Sequence, residues 1–297
     1  MATKSKSAKK TAAAKKKSPA RRTPRAAFAV ATNEKKTTQE RAKAFVEAPL
    51  ATIQSDKNMK ASLDVLRDRA QPIKVRLAAL QSLQAASFSV IEFEPYREDY
   101  LATLREIIDD PDEELRQRVL GILSRENDGY TQKRLIEGLE DPSKALLPPE
   151  KALQLLSYDV HAEAYSVARE IVNKPPNPEA KREALRLLAA DTNSAPIFEK
   201  LMRDKDEDRE IRQISAAALQ AIKPKKFQEQ AREIVLDNKE YDDIQATALT
   251  ALAQFGDEKK VAKDEKLLEQ VDKLTEAKSA KVKKTAKFFL RRHGPEK

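Results

Sequence analysis

Apolar and small residues recur along this chain at the three-and-four spacing of one helical face, and the stretch Ile211 to Ile222 shows the pattern most plainly. There Ile211, Ile214, Ser215, Ala218, Leu219 and Ile222 fall on one side, with Arg212 beside the first of them. The pattern returns six more times. With Leu219 as the marker, the equivalent positions are Leu83, Leu123, Leu156, Leu188, Leu252 and Leu290, separated along the chain by 40, 33, 32, 31, 33 and 38 residues. That spacing holds two helices and two turns. Four residues before each marker stands a slim side chain, Ala79, Ala152, Ala184, Ser215, Ala248 and Ala286, with Val119 the exception. A small residue at one depth in every unit lets neighbouring helices approach closely.

Each marked helix is preceded by another with its own apolar stripe: Leu101, Leu104, Ile107 and Ile108; Leu135, Ile136 and Leu139; Ala168, Ile171 and Val172. Later come Ile197, Phe198 and Leu201, then Ala231, Ile234 and Val235, and finally Leu267, Leu268, Val271 and Leu274. Breakers and caps separate the two: Asp110-Pro111-Asp112, Asp141-Pro142-Ser143, Pro175-Pro176-Asn177-Pro178, Asp204 to Asp208, and Asp242-Asp243. Proline is tolerated just inside a helix start and Asp or Asn caps it, so these clusters end one helix and begin the next. Residues 34–60 are partly helical, with Ala42, Phe45 and Val46 on one side, and read as an N-terminal capping segment. The longer linker from Gln84 to Arg97 gathers Phe88, Val90, Ile91, Phe93 and Tyr96, which are expected to fold back over the first interface.

The repeats resemble the HEAT-repeat family. The resemblance rests on VRLAALQSL (Val75 to Leu83), LRQRVLGIL (Leu115 to Leu123), AKREALRLL (Ala180 to Leu188), IRQISAAAL (Ile211 to Leu219) and IQATALTAL (Ile244 to Leu252). It covers roughly residues 60 to 292, and Pro148-Pro149 departs from it where a valine–arginine pair would stand. The expected fold is all-α, a right-handed α-solenoid of about seven HEAT-like helical hairpins (61–292), preceded by a disordered basic tail. In such proteins the arginine-type position of the second helix pairs with an acid of a neighbouring turn. Here Arg76, Arg116, Lys181 and Arg212 are the candidate ladder or concave-face residues, with Lys283 in the last unit and Gln245 and Pro149 as exceptions. The second helices line the concave surface in the family, which implies a mildly basic inner face here.

Charge is unevenly placed. The chain carries +9 overall, yet residues 1–33 hold ten lysines and arginines and no acid, leaving 47 basic against 48 acidic side chains beyond them. Too little apolar surface is present in this tail to offset the entropy of ordering it, and its composition resembles linker-histone tails. Candidate polyanion-binding residues are Lys9, Lys10, Lys15, Lys16, Lys17, Arg21, Arg22 and Arg25 in the tail. Lys281, Lys283, Lys284, Lys287, Arg291 and Arg292 add a second cluster in the last helix. Ser18 and Thr23, each followed by proline, are candidate phosphorylation sites that would lower the tail's charge.

The catalytic inventory is thin. The absence of cysteine removes disulfides, thiolate metal sites and thiol nucleophiles, and there are two histidines and no tryptophan. HEAT-like hydroxylases hold two irons through paired His-Glu motifs, whereas His161 and His293 are followed by Ala162 and Gly294. The missing tryptophan argues against HEAT-like DNA glycosylases, while HEAT-like bilin lyases leave no short motif to test. The expected function is therefore a non-enzymatic protein-binding scaffold or adaptor, with no cofactor, metal or small-molecule substrate, its tail attaching to nucleic acid or another polyanion. A nucleic-acid-associated, histone-like protein is the alternative, and a bilin-lyase-type enzyme the remote one. With no apolar run long enough to span a membrane and no secretory leader pattern, the expected location is cytoplasmic, nucleoid-associated in a bacterium or nuclear in a eukaryote.

Overall fold

The computed structural model describes residues 24–158 and 162–294. These residues fall into two compact units, divided between Ile107 and Ile108. The first contains α1 (Pro24–Ala31), α2 (Thr38–Glu47), α3 (Leu50–Ile53), α4 (Asp56–Arg67), α5 (Ile73–Ser87), α6 (Val90–Phe93) and α7 (Arg97–Glu106). The second contains α8 (Glu113–Arg125), α9 (Gly129–Glu140), α10 (Pro149–Leu156), α11 (Tyr165–Asn173), α12 (Pro178–Leu188) and α13 (Ala195–Arg203). It continues with α14 (Arg209–Ile222), α15 (Pro224–Leu236), α16 (Asp242–Phe255), α17 (Glu258–Val261), α18 (Glu265–Leu274) and α19 (Ala280–His293). The described residues are all-helical, built largely of paired helices in the manner of a helical-repeat array. No helix among the described residues is long and apolar enough to cross a membrane.

In the second unit, first and second helices pair as α11/α12, α13/α14, α15/α16 and α18/α19, and the second helices α8, α10, α12, α14, α16 and α19 pack in succession. Their close approach follows from the small row: Ala152, Ala184, Ser215, Ala248 and Ala286 are all buried, as is Val119. Five of the six leucine markers in this unit are buried with them. Leu290 is the exception. Phe289, one residue earlier, is fully buried in its place, so the register expected for the last helix is corrected by one position.

The breakers do what their chemistry dictates. Asp112, Asp128, Asn177, Asp208 and Asp264 each accept a hydrogen bond from a backbone N–H of the first helical turn they precede, satisfying donors with no partner inside the helix. Pro149 and Pro178 occupy first-turn positions, where the missing N–H costs nothing. The Pro148-Pro149 departure therefore leaves α10 a regular if short helix.

The α8–α9 turn needs one left-handed residue, Asn127, at φ 55°. The Asp128 N–H bonds the Leu123 carbonyl at 3.1 Å and the Asn127 N–H bonds that of Ser124 at 3.2 Å, closing a Schellman motif. Asparagine tolerates this conformation and alanine does not. Asn127→Ala should lose about 1 kcal/mol in a urea titration, and Asn127→Gly should not.

In the first unit α4 pairs with α5, and α5 packs on α2, which pairs with α1. Residues 1–23 of the expected tail lie outside the described residues, but from Pro24 the chain is helical. The reason is packing: Phe28 and Ala31 are buried, and the Phe28 ring meets Phe45 edge-on at 5.9 Å. Of the stripe expected in this region, Phe45 is fully buried whereas Val46 is 55% exposed. Arg41 and Ala44 are the buried neighbours of Phe45 instead.

Candidate interaction sites

A basic or amide side chain in the first turn of several second helices points back at the end of its own first helix. Arg41 Nε donates to the Ala31 carbonyl (3.1 Å), Arg76 Nε to Leu66 (2.9 Å), Arg212 Nε to Met202 (3.0 Å) and Gln245 Nε2 to Val235 (3.3 Å). All four span ten residues, because the last carbonyls of a helix lack intrahelical donors. Several of these positions also reach forward to the turn of the next hairpin. Arg41 Nη2 donates to Gln71 (2.7 Å), Arg116 Nε to the Leu146 carbonyl (2.7 Å), Lys181 Nζ to Glu207 (2.5 Å) and Arg212 Nη2 to Glu240 (2.7 Å). Arg76 and Arg212 are both buried, and Arg212 joins its own hairpin to the next.

Glu240 is the most demanding partner in this ladder. Its side chain and that of Arg212 are each 2% exposed, and Lys205 also donates to it at 2.9 Å while bonding Asp237 at 2.6 Å. Burial pushes the Glu240 carboxyl up, but hydrogen bonds from Arg212, Lys205 and the Tyr241 N–H outweigh it and hold the group below its ordinary value. The hydrogen bond from Lys205 likewise lowers Asp237.

Several cations on the second helices are paired with acids of the same helix or the next. Arg182 and Arg186 both reach Glu210 on the next second helix, at 3.5 and 3.0 Å, and also bond Glu179 and Glu183 on their own helix. Arg209 meets Asp243 at 3.3 Å, and Arg118 meets Glu114 at 2.7 Å. These four arginines are neutralised locally.

The last second helix differs. Helix α19 has no acidic residue. Lys281, Lys284, Lys287, Arg291 and Arg292 are exposed and form no ion pair among the described residues. Lys283 alone approaches an acid, Glu276 at 3.5 Å. Of the tail candidates, Lys9, Lys10, Lys15, Lys16, Lys17, Arg21 and Arg22, with Ser18 and Thr23, lie outside the described residues, and Arg25 falls within α1.

The aromatic linker divides in two. Phe93 is buried with its ring 5.4 Å from Tyr100 and 6.5 Å from Tyr96, and the Tyr96 hydroxyl bonds the Gln54 carbonyl at 3.0 Å and the Asp56 carboxylate. Phe88, Val90 and Ile91 instead stand in solvent, 79, 63 and 86% exposed. The expectation that the whole group covers the first interface is corrected for these three. Phe93, three residues after Val90, takes the inward position on the short α6, which turns Ile91 away.

His293 is buried, its Nε2 3.1 Å from the Ala253 carbonyl and its ring 5.1 Å from Phe289, so it ties α19 to α16. His161 lies outside the described residues. No cluster of three or more His, Cys, Asp or Glu side chains able to hold a metal occurs among the described residues. A groove of about 900 Å³ runs beside α15 and α18, lined by Leu252, Phe255, Val261 and Leu267 among others. Its Arg232 and Asp264 are bonded to each other at 2.5 Å, and no histidine, serine or cysteine lines it.

The chain matches no family model and no curated protein. Similar solved structures include an engineered protein, with 14% identity over 92% of this chain and 89% of that one at a TM-score of 0.45. Human deoxyhypusine hydroxylase in complex with glycerol is 14% identical over 84% of this chain and 100% of that one, with a TM-score of 0.34. The complex of CpcE and CpcF of phycocyanin lyase from Nostoc sp. PCC7120 is 14% identical over 96% and 98%, with a TM-score of 0.26. One of these is a hydroxylase and another a lyase. The expectation that this chain is not an enzyme is withdrawn.

Proposed function

We propose that the chain is a protein-binding scaffold or adaptor that also attaches, through its basic ends, to nucleic acid or another polyanion. The observation that carries the first half is the exposure of Phe88, Val90 and Ile91 on a chain in which 35% of residues are charged. Contiguous apolar side chains held in water mark a surface that a partner covers. The packed Phe93, Tyr96 and Tyr100 cluster beneath holds this one in place, so little ordering entropy is lost on docking. The polyanion half draws on the ten basic residues of the tail and on the unpaired cations of α19.

The test is quantitative capture from an extract of the native host, with the wild-type chain beside a Phe88→Asp, Ile91→Asp variant. Both positions are solvent-exposed, so circular dichroism should be unchanged. The expected result is a partner retained by the wild type and reduced at least ten-fold with the variant, the loss of about 1.4 kcal/mol or more. Equal recovery of every retained protein by the two chains would remove this surface from the proposal.

A further inference from the structure

Phe288 is 39% exposed, whereas its neighbour Phe289 is fully buried. On a helix the residues three and four away share a face. Those around Phe288 are Lys284 before it and Arg291 and Arg292 after it, with Lys281 one further turn back. All four are exposed and without an ion pair among the described residues. Among the described residues no cation is stacked on the Phe288 ring, in contrast to Arg209 over Tyr241 at 4.9 Å. A partly exposed aromatic ring therefore stands among four cations that form no ion pair among the described residues.

We infer that the exposed face of α19 is a binding site for single-stranded nucleic acid, in which a base stacks on Phe288 and the flanking phosphates are met by Lys284, Arg291 and their neighbours. The inference deepens the polyanion half of the function proposed above and rests on it. A cationic patch alone binds any polyanion, but an aromatic platform between cations adds a term that only an unpaired base can use. A duplex hides its base faces inside the stack. A membrane surface is the poorer fit, because the apolar stripe of α19, Val282, Ala286 and Phe289, is already buried against the rest of the unit and leaves one ring to insert. An acidic peptide would use the charges and leave the ring unemployed.

The test uses the full chain and fluorescence anisotropy with a labelled oligo-deoxythymidine single strand and a DNA duplex of equal length, each over a salt series. Phe288→Ala should weaken single-strand binding about five-fold or more, with the salt slope and the duplex affinity unchanged. Lys284→Gln with Arg291→Gln should make the single-strand log–log slope shallower by about 1.4, two contacts at about 0.7 each. Single-strand affinity unmoved by Phe288→Ala would overturn the inference, as would stronger Phe288-dependent binding to anionic lipid vesicles than to the oligonucleotide. If a Lys15→Gln, Lys16→Gln, Lys17→Gln variant abolishes binding that the α19 variants leave intact, the polyanion reading stands and this site falls. Absence of binding to either nucleic acid by the wild type would overturn both.

Discussion

Arg212→Ala should destabilise the second unit by about 3 to 5 kcal/mol, the loss expected when one member of a buried ion pair is removed. The side chain of Glu240 is 2% exposed and would keep only Lys205 as a charged partner. The Met202 carbonyl would lose its guanidinium donor as well. Arg212→Lys should recover part of the loss, because an ammonium keeps the charge but lacks the planar fork that serves Met202 and Glu240 together. Urea unfolding measures all three chains. The same pair sets a pH dependence. Because the folded state holds Glu240 below its ordinary value, the stability it contributes is present above the unfolded-state pKa and is lost as pH falls through the folded one. The gap between wild type and Glu240→Gln should therefore be widest near neutrality and shrink below about pH 4. A gap that widens on acidification would show that this pair does not set the dependence.

Phe45→Ala should cost the first unit about 3 to 5 kcal/mol. Phe45 is fully buried, meets Phe28 edge-on, and its carbonyl accepts the Ser82 hydroxyl at 2.9 Å. The vacated volume lies where α1, α2 and α5 converge, and the slim Ala44 and Ala48 beside it cannot refill it. In a stack of hairpins each element contacts chiefly its neighbours, so losses are local. Native-state hydrogen exchange should show α1, α2 and α5 losing protection with Phe45→Ala and α13 to α16 losing it with Arg212→Ala. A uniform loss along the whole chain in either variant would contradict that division.

The repeats were legible because close stacking demands a small residue and a leucine four apart, and Ala79 with Leu83 or Ala184 with Leu188 satisfy it without ambiguity. The last helix was read one residue out because Phe289 and Leu290 are both apolar and follow Ala286 by three and four residues, the two spacings that share a helical face. Arg41 was missed as a member of the arginine series because Ala48 stands where a leucine marks the other helices. The signal was present: a small residue follows three positions on, Ala44 after Arg41 as Ala79 follows Arg76. The direction of the linker side chains was out of reach. Phe88 and Phe93 look alike in sequence, and only the positions of Tyr96 and Tyr100 decide which of them is covered. The pairing of Arg182 and Arg186 was hidden for a related reason, since both find Glu210 more than twenty residues away, across a turn of variable length.

The forward-reaching rungs also impose an order on biosynthesis. Arg212 leaves the ribosome 28 residues ahead of the Glu240 that will hold it, and Arg116 precedes Leu146 by 30. At a synthesis rate of about 5 to 20 residues per second, each newly made second helix waits roughly 1.5 to 6 s for its acceptor. During that interval its cation must remain hydrated at a surface destined to close. Wherever the rung is a cation, the nascent array therefore exposes an incomplete, positively charged end that is sealed only when the following hairpin emerges.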